Sequence, residues 1–425
     1  MRTLLFLDPG HFHAALTLRS ANSRVASNVH VYAAPGSELT AFLNYVDAFN
    51  SRAEDPTSWS VQVHESDQPL DQLIADRLGD VVILAGRNNT KLERIHRLQT
   101  AGFNVLADKP WLTDADQRMH LNALEPGPPF VMDIMTERFD TIAGMRKHLV
   151  ASDLFGEFAN DDRPAIEIGS THHLLKRVNG EILKRPPWYF DVRVQGNGLV
   201  DIQSHMTDQA QWLIADSDPI NYRSDYALSQ ASSSATPVDS SLYADCTGVT
   251  SLPTDVDDPI TDGILQLTCN GDIDYRLRGV WVRQRARWDA REAPGGGDLH
   301  ASSVRGTRLS VSVTQGPETE LMPVMHITLH DDAITRPMLE TVLRGGPASA
   351  WQLDVDGERF RLIVPNHART SHESNFARVL NQFLDVLDSG VAPEGLATRI
   401  HARYALLADA WADAWADAWA GGGGM

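Results

Sequence analysis

The sequence predicts an α/β domain of Rossmann type followed by an α+β domain with a large, mostly antiparallel open sheet. Short apolar runs alternate with amphipathic stretches up to about residue 137, which is the pattern of a parallel sheet with crossover helices. Past about residue 150 this alternation stops, and segments of period two dominate. With 425 residues, 42% of them hydrophobic, the chain is long enough to form two separate hydrophobic cores.

Six apolar runs in the first part are each predicted to form a strand: 4–7, 29–33, 61–63, 81–85, 105–107 and 130–135. The segments between them have the length that a crossover helix needs. In the segment 90–100, for example, Leu92, Ile95 and Leu98 share one helical face. These runs and segments therefore predict a parallel sheet covered by helices.

The second part is predicted to contain a largely antiparallel sheet. Segments of period two lie at 275–283, 308–313 and 326–330. The segment 351–362 carries Asp356 and Gly357 at its centre, which is a strong hairpin signal. The stretch 230–262 is rich in Ser, Thr, Asp and Pro, and we predict surface loops there.

Composition excludes several classes of partner and site. The formal net charge of −19 argues against nucleic-acid or anionic-membrane partners, because phosphate binding needs clustered positive charge. Cys246 and Cys269 form no disulfide framework, and we recognise no tight ligand spacing among the 16 histidines, so no metal site is predicted. The N-terminal apolar run is too short for a signal peptide or a membrane span, which predicts a cytoplasmic chain.

Lys109 and Pro110 stand where the fifth predicted strand ends. The apolar run 103–107 is followed by Asp108, Lys109 and Pro110, so an ammonium lies at the carboxyl end of a strand. Doubly wound sheets bind their ligands at this edge. Because only five lysines occur in the chain, Lys109 is a candidate functional residue.

The turn after the first strand, 8–13, stands where a dinucleotide fingerprint would lie. In Gly-x-Gly-x-x-Gly the glycines permit a tight turn and let backbone N–H groups approach a pyrophosphate. Only the middle glycine, Gly10, is present here. The turn is compatible with nucleotide binding and also with a plain Pro-Gly turn before a helix.

The second strand lacks the acid that usually binds the ribose diol at its end. It ends at Ala34, and Glu38 in the following segment is the candidate substitute. No arginine stands nearby in the sequence to bind a 2′-phosphate, and the choice between NAD and NADP stays open.

A second informative stretch, 196–208, opens with two glycines and continues as an amphipathic helix. Asp201, His205 and Asp208 stand at positions i, i+4 and i+7 and therefore share one helical face. A carboxylate one turn before an imidazole can orient the ring, which suits a general base. The alternative is a solvated polar face.

Two of these motifs together resemble the Gfo/Idh/MocA family of sugar oxidoreductases. Asp108, Lys109 and Pro110 match the family's Glu-Lys-Pro motif, with a conservative change at the acid. Asp201 and His205 match its glycine-led Asp-x-x-x-His helix.

The resemblance spans about residues 3–405. The loop 88–91 matches the family's fourth-strand loop, with Lys91 where a histidine is common. Further segments resemble a branch with its own oxidoreductase C-terminal domain, linked to oxidation of glycosides at the 3-hydroxyl: 8–16, 170–173, 185–191 and 372–373.

The resemblance implies roles for individual residues. His205 takes a proton from a sugar hydroxyl while the hydride passes to nicotinamide, with Asp201 orienting the imidazole. Lys109 donates to the same oxygen and stabilises the developing alkoxide charge. The implied cofactor contacts are Pro9, Gly10, His11, Phe12, Ala34, Gly86, Asn88, Asp108 and Lys109.

Five further residues are candidates for binding the sugar. His172, His173 and Lys176 follow a predicted strand, 165–168, and either line the pocket or cap the strand. Trp188 and Tyr189 either stack on a pyranose face or pack in the core.

We divide the chain into a dinucleotide-binding Rossmann domain (1–138), a substrate-binding and oligomerisation domain (139–405), and a Trp/Ala/Asp repeat tail (406–425). In the tail Trp411, Trp415 and Trp419 recur every four residues, and they either dock as a helical stripe or belong to a disordered repeat.

The sequence leads to three hypotheses of function. The first is an NAD(P)-dependent dehydrogenase of a sugar or glycoside, acting as a homodimer or homotetramer. The second is a glycoside hydrolase that works by transient oxidation with a retained NAD. The third is a non-catalytic protein that binds a sugar or nucleotide.

Overall fold

The computed structural model describes residues 1–178, 181–293 and 295–421; the side chains of Val178, Glu181 and residues 415–421 lie outside this description. The chain divides into two compact units. The first unit contains Met1–Thr136, Ser217–Ile220 and Ser371–Ala405. The second contains Glu137–Asp216, Asn221–Thr370 and the chain from Leu406 onward.

The strands, in chain order, are β1 Leu4–Leu7, β2 Asn28–Ala33, β3 Ser60–Glu65, β4 Val81–Leu84, β5 Asn104–Ala107, β6 Val131–Asp133, β7 Ile166–Leu175, β8 Arg177–Val178, β9 Glu181–Ile182, β10 Tyr226–Val238, β11 Ile260–Thr261, β12 Ile264–Leu277, β13 Val280–Arg291, β14 Leu299–Arg305, β15 Leu309–Gln315, β16 Val324–Leu329, β17 Gln352–Asp356 and β18 Arg359–Ile363.

The α-helices are α1 His13–Leu16, α2 Ser37–Ser51, α3 Pro69–Asp76, α4 Lys91–Thr100, α5 Arg118–Asn122, α6 Thr141–Val150, α7 Val192–Gln195, α8 Asp201–Ala215, α9 Tyr222–Asp225, α10 Ser240–Thr247, α11 Arg336–Arg344, α12 His372–Ser389 and α13 Leu396–Gly421. Short 3₁₀ helices span Glu137–Phe139, Pro187–Phe190, Pro317–Thr319 and Asn366–Ala368.

The sheet of the first unit is parallel throughout, in the order β3-β2-β1-β4-β5-β6. Its central strands are apolar at every position because helices cover both faces: β1 and β4 are buried along their whole length. This order and direction confirm the predicted Rossmann-type domain.

The sheet of the second unit follows the order β10-β12-β13-β7-β14-β15-β16-β18-β17, with β11 pairing to β12. The pair of β13 with β7 is parallel, and the other neighbouring pairs are antiparallel. The predicted, mostly antiparallel sheet is therefore confirmed. The predicted hairpin is β17 and β18, with Gly357 at a φ of 61° in the turn.

Two predictions for the second part are wrong in detail. The segment 275–283 is not one strand, because Arg278 and Gly279 adopt positive φ values of 50° and 82° and turn the chain between β12 and β13. The stretch 230–262 holds most of β10 and the helix α10 rather than loops alone. Because β10 is an edge strand with mostly exposed residues, its serines and threonines do not prevent pairing.

Among the described residues, no helix combines the length and the apolar character needed to cross a lipid bilayer.

Candidate functional site

In the first unit, Gly86 lets the loop after β4 approach the turn after β1, while Gly10 lies beside Glu38. A Cβ atom on Gly10 would lie 2.2 Å from Oε2 of Glu38, and one on Gly86 would lie 2.3 Å from the carbonyl oxygen of Asp8. The Gly86 contact is with backbone and leaves no room for a side chain, whereas the Gly10 contact is with the end of a flexible side chain that can move aside. Asp8 itself adopts a φ of 44°, which completes the tight turn.

The predicted cofactor contacts all belong to loops that follow the carboxyl ends of strands. Pro9, Gly10, His11 and Phe12 follow β1, Ala34 follows β2, Gly86 and Asn88 follow β4, and Asp108 and Lys109 follow β5. Strands β1 and β4 are neighbours, and the chain continues outward from each, so this is the switch point of the sheet. The two close-packed glycines leave the backbone there open to a phosphate group, and the residues present therefore fit a dinucleotide.

Two ion pairs cross this edge. Nη1 of Arg94 lies 2.7 Å from Oδ2 of Asp8, and Nη2 of Arg87 lies 2.9 Å from Oε1 of Glu38. No arginine lies near the end of β2 in the sequence. The structure supplies Arg87, which comes from the loop after β4 and was therefore distant in sequence.

Lys109 is half-buried and stands between buried neighbours. Pro110, joined to Lys109 by a cis peptide bond, and Trp111 are both buried. The Trp111 ring stacks on Tyr404 with a centroid separation of 4.9 Å, and its Nε1 donates to the carbonyl oxygen of Ala107 at 3.2 Å. These contacts fix the main chain that carries Lys109.

The segment 371–405 contributes more than Tyr404 to this unit. Arg403 forms an ion pair with Asp133 at the end of β6, and the two side chains are only 2% and 4% exposed. The boundaries predicted from sequence placed this segment with the second part of the chain. No local pattern signals its return, because these residues are 270 positions apart.

Lys91 connects two loops of the same edge. Its Nζ donates to Oδ1 of Asn88 at 2.5 Å and to the carbonyl oxygen of Asp108 at 2.9 Å. The side chain is 2% exposed. Lys91 therefore ties the loop after β4 to the end of β5.

His11, His13 and Asp108 form a cluster at the first turn. Nδ1 of His13 lies 2.9 Å from Oδ2 of Asp108, and Nδ1 of His11 lies 3.3 Å from the same oxygen. Burial lowers the pKa of His13 to about 3. Burial alone would raise the pKa of Asp108, but the adjacent imidazoles outweigh it and hold that pKa well below its usual range. No metal site is predicted from the sequence, and this cluster is not recognisable there, since Asp108 lies 95 residues beyond His13.

In the second unit, close backbone packing positions the helix α8. A Cβ atom on Gly198 would lie 2.1 Å from the carbonyl carbon of Asn270, so only glycine fits this crossing of the loop over β12. Nε2 of Gln203 donates to the carbonyl oxygen of Gly271 at 2.8 Å. The glycine-led helix start therefore has a packing cause.

The polar face of α8 is buried. Asp201 is 4% exposed and Asp208 is 1% exposed, so the alternative of a solvated face is wrong. Both guanidinium nitrogens Nε and Nη2 of Arg138 donate to Asp208, each at 2.7 Å. This fork-shaped pair neutralises the buried carboxylate.

His205 receives its carboxylate from outside the helix. Nδ1 of His205 lies 2.7 Å from Oε2 of Glu137, in the 3₁₀ helix that begins the second unit. Asp201 is the carboxylate that the motif predicts for this ring. The Asp201 carboxylate instead accepts a hydrogen bond of 3.2 Å from Nε2 of Gln195.

A signal for Glu137 exists in the sequence, but it is weak. Glu137 and Arg138 are consecutive, and they pair with His205 and Asp208, which stand three positions apart on one helix face. Neighbouring acidic and basic residues of this kind are common in protein sequences. The pattern therefore does not identify the contacts without the fold.

The candidate sugar-binding residues His172 and Lys176 converge on Asp298. Nδ1 of His172 lies 3.1 Å and Nζ of Lys176 lies 2.8 Å from Oδ2 of this carboxylate. Burial alone would raise the pKa of Asp298, but the hydrogen bond from His172 and the charge of Lys176 outweigh it and hold that pKa far below its usual range. The His300 ring lies edge-on to His172 at 5.6 Å between centroids. Asp298 and His300 were not found from sequence. They lie just before and near the start of β14, which is distant from β7 in the chain and comes beside it only through strand pairing.

His173 lies within β7 and is 6% exposed. Its Nδ1 is 3.8 Å from Oδ1 of Asp298, and its carbonyl oxygen accepts a hydrogen bond of 2.9 Å from Arg185. The strand β7 continues through His172 and His173 to Leu175, so these histidines do not end it.

Trp188 and Tyr189 lie in the hydrophobic core of the second unit, where they are 9% and 7% exposed. The Arg185 guanidinium lies 4.4 Å from the Tyr189 ring centroid and 5.2 Å from that of Trp288. Burial raises the pKa of the Tyr189 hydroxyl well above its usual range. The structure favours the core-packing alternative for both residues.

The described part of the tail, from residue 406 to 421, belongs to α13. Asp409 accepts a hydrogen bond from the Tyr222 hydroxyl, and Oδ2 of Asp413 accepts one of 2.9 Å from the backbone N–H of Ala231 in β10. Asp413 thus caps an unpaired donor of the edge strand. The side chains of Trp415 and Trp419 lie outside the described residues.

Comparisons with known proteins show the family of the chain. The family described as "Putative oxidoreductase C terminal domain" matches residues 145–415. The chain belongs to this family, an oxidoreductase family of Gfo/Idh/MocA type. A crystal structure of a "putative oxidoreductase" from Parabacteroides merdae is 31% identical over 98% of each chain, with a TM-score of 0.91. The resemblance found from the motifs is therefore confirmed.

More distant structures share the fold of the family. Levoglucosan dehydrogenase in complex with NADH and levoglucosan is 15% identical, with a TM-score of 0.62, over 98% of this chain and 97% of that one. A 3-ketoreductase from Actinomadura kijaniata in complex with NADP and TDP-benzene is 14% identical, with a TM-score of 0.56, over 96% and 95% of the two chains. A comparison with curated proteins found no match.

Proposed function

We propose that this oxidoreductase transfers a hydride from a secondary hydroxyl of a sugar or glycoside to NAD(P). The observation that carries the proposal is the pairing of His205 with Glu137 at 2.7 Å, on a helix that matches the family's Asp-x-x-x-His motif. An imidazole held by a carboxylate is the arrangement expected of a general base for hydroxyl oxidation. Related folds bind NADH with levoglucosan, and NADP, which supports the cofactor assignment.

The first unit supplies the groups that hold the cofactor in this proposal. Backbone around Gly10 and Gly86 receives the phosphates at the switch point of the sheet. Glu38 hydrogen-bonds the ribose. The nicotinamide, when bound, accepts the hydride.

Two side chains act on the hydroxyl. The imidazole of His205 takes the hydroxyl proton, and Glu137 orients the ring and stabilises the positive charge that this transfer creates. The ammonium of Lys109 donates to the same oxygen, which stabilises the alkoxide as it forms. Asp201 lies at the start of α8, the helix that carries His205, and its carboxylate is buried.

Polar groups of the second unit recognise the sugar. Asp298 accepts hydrogen bonds, and Lys176 and His172 donate them, so the cluster offers complementary partners to neighbouring hydroxyls. His173 is a further candidate, while a stacking role of Trp188 and Tyr189 stays a prediction. The proposal extends to oxidation of a glycoside at its 3-hydroxyl, in the cytoplasm, by a homodimer or homotetramer.

The test begins with the cofactor. Purified protein is denatured and the supernatant examined for released NAD(H) or NADP(H), and the unfolding temperature is compared with and without added NAD⁺ or NADP⁺. We expect one cofactor to be released or to raise the unfolding temperature. If neither occurs, the proposal is wrong and a non-catalytic binding role is favoured.

Products then separate the catalytic hypotheses. With methyl glucopyranoside as substrate, a dehydrogenase yields a keto-glycoside and an equal amount of reduced cofactor. A hydrolase that oxidises transiently releases methanol without net reduction of the cofactor.

A further inference from the structure

Three side chains of the first unit point their ligand atoms at one another. Nδ1 of His13 and Nδ1 of His11 approach the same Asp108 oxygen at 2.9 and 3.3 Å, and each of the three side chains offers one ligand atom within 4.8 Å of those of the other two. We propose that His11, His13 and Asp108 form a binding site for one divalent transition-metal ion. This inference does not depend on the hydride-transfer proposal.

The spacing of the three atoms suits a metal polyhedron. Ligands about 2.0–2.2 Å from a transition metal lie roughly 3 Å apart when they are neighbours in tetrahedral or octahedral geometry. Both contacts of Asp108 fall at this separation. An ion placed between the atoms would therefore require only small side-chain movements.

One of the ligand atoms has no satisfactory partner. Nδ1 of His11 is buried, and no hydrogen-bond partner for it exists among the described residues, because its approach to Asp108 lacks hydrogen-bond geometry. A buried polar atom in this state is costly. A metal ion would satisfy it.

The backbone holds both sides of the cluster on the end of β4. The N–H of His11 donates to the carbonyl oxygen of Ala85 at 3.0 Å, and the N–H of Asp108 donates to that of Leu84 at 2.7 Å. The two sides are thus anchored to consecutive residues of one strand end. A preformed site of this kind binds metal without first ordering a loop.

The donor set indicates the class of ion. Two imidazole nitrogens and one carboxylate oxygen favour zinc, iron(II), cobalt(II) or manganese over calcium and magnesium, which prefer oxygen ligands alone. Three protein ligands leave coordination positions for water or for an anionic group of a bound molecule.

The experiment measures metal binding to the full chain without cofactor or substrate. The protein is treated with a chelator, dialysed and titrated with ZnCl₂ by calorimetry, and CoCl₂ is added separately to record visible absorption. We expect one equivalent of zinc per chain, and a cobalt spectrum that excess zinc abolishes. His11→Ala should weaken zinc binding at least about tenfold.

The matched control is His64→Ala. His64 belongs to a second histidine pair in the same unit, with its Nε2 3.0 Å from Nδ1 of His30. This variant should bind zinc as the parent does. His11 has a side chain that is 24% exposed, so its replacement should be tolerated; circular dichroism checks folding, and His13→Asn serves as a second variant.

The site does not exist if the parent protein binds no stoichiometric ion, if His11→Ala and His13→Asn both bind as the parent does, or if His64→Ala alone abolishes binding. Because no cofactor is present, failure of this proposal is distinguishable from failure of the proposed dehydrogenase function.

Discussion

Nδ1 of His205 lies 2.7 Å from Oε2 of Glu137, so the orientation of this imidazole is set by the 3₁₀ helix at the start of the second unit. The same 3₁₀ helix supplies Arg138, which neutralises Asp208 one turn further along α8. Two consecutive residues therefore organise the buried polar face of the helix. In the proposed reaction Glu137 is a positioning residue that acts through His205.

Replacing Glu137 by Gln should lower kcat/KM by about 100-fold, because the amide keeps the size of the side chain but loses the charge that stabilises the imidazolium. KM for methyl glucopyranoside should change little, since Glu137 acts through His205. Initial rates of cofactor reduction provide the measurement, and Glu137→Asp should restore part of the rate. A Glu137→Gln variant that turns over as fast as the parent would show that the contact has no part in catalysis.

Replacing Lys109 by Ala should lower kcat by about 10²–10³-fold, as expected for loss of a donor to a developing oxyanion. Lys184→Ala is the control, because Lys184 is exposed and donates to a backbone carbonyl of Asp245. Turnover with saturating cofactor measures both. Equal rates for the two variants would contradict the assignment of Lys109.

Replacing Tyr404 by Ala should destabilise the first unit by about 3–5 kcal/mol, because it removes a fully buried ring that stacks on Trp111. Activity should fall as well, since the contacts of Trp111 fix the main chain at Lys109. Urea denaturation measures the free energy of unfolding. Tyr45→Ala is the control, because Tyr45 is 37% exposed, and it should lower the free energy of unfolding by less than about 1 kcal/mol. Similar losses of unfolding free energy in both variants would refute the role of the stacked pair.

The free energy of unfolding should decrease as the pH is lowered, because His13 titrates. Burial lowers its pKa from 6.5 to about 3, so between these values the unfolded chain binds a proton that the folded chain does not. This contribution is fully present above pH 6.5 and is lost as the pH falls toward 3. His13→Asn removes the titrating ring and should reduce the slope of unfolding free energy against pH by up to about 1.4 kcal/mol per unit.

Urea unfolding with a chelator present, from about pH 4 to pH 7, measures this slope. His367→Asn is the control because His367 is an exposed residue, and its slope should match that of the parent. An unchanged slope in His13→Asn would mean that His13 is not the group responsible.

Replacing Glu38 by Gln should shift the cofactor preference toward NADP⁺. The parent carboxylate repels a 2′-phosphate and holds Arg87 at 2.9 Å, so the substitution removes the repulsion and releases the guanidinium. The ratio of kcat/KM for NADP⁺ to that for NAD⁺ should rise at least about tenfold. Arg87→Ala should not produce this rise. An unchanged ratio in Glu38→Gln would show that Glu38 does not contact the ribose of the cofactor.

The features predicted correctly from sequence are those whose pattern lies within a few adjacent residues. The apolar runs predicted each strand of the first sheet. Central strands such as β1 and β4 are buried on both faces and have a recognisable composition, whereas the edge strand β3 is mostly exposed. Lys109 and His205 were identified from short local motifs, the first directly after β5 and the second within α8. The hairpin at Asp356 was predicted for the same reason, since its turn chemistry lies in adjacent residues.

Contacts between distant residues were decided by tertiary structure alone. Glu137 lies 68 positions from His205, Lys176 lies 122 from Asp298, and Arg403 lies 270 from Asp133. By itself the sequence determined the two sheets and the helix that carries His205, because burial periodicity and turn chemistry act over a few residues. Only the tertiary structure decided which carboxylate each buried cation or imidazole receives, because a buried charge pairs with its nearest neighbour in space whatever its place in the chain.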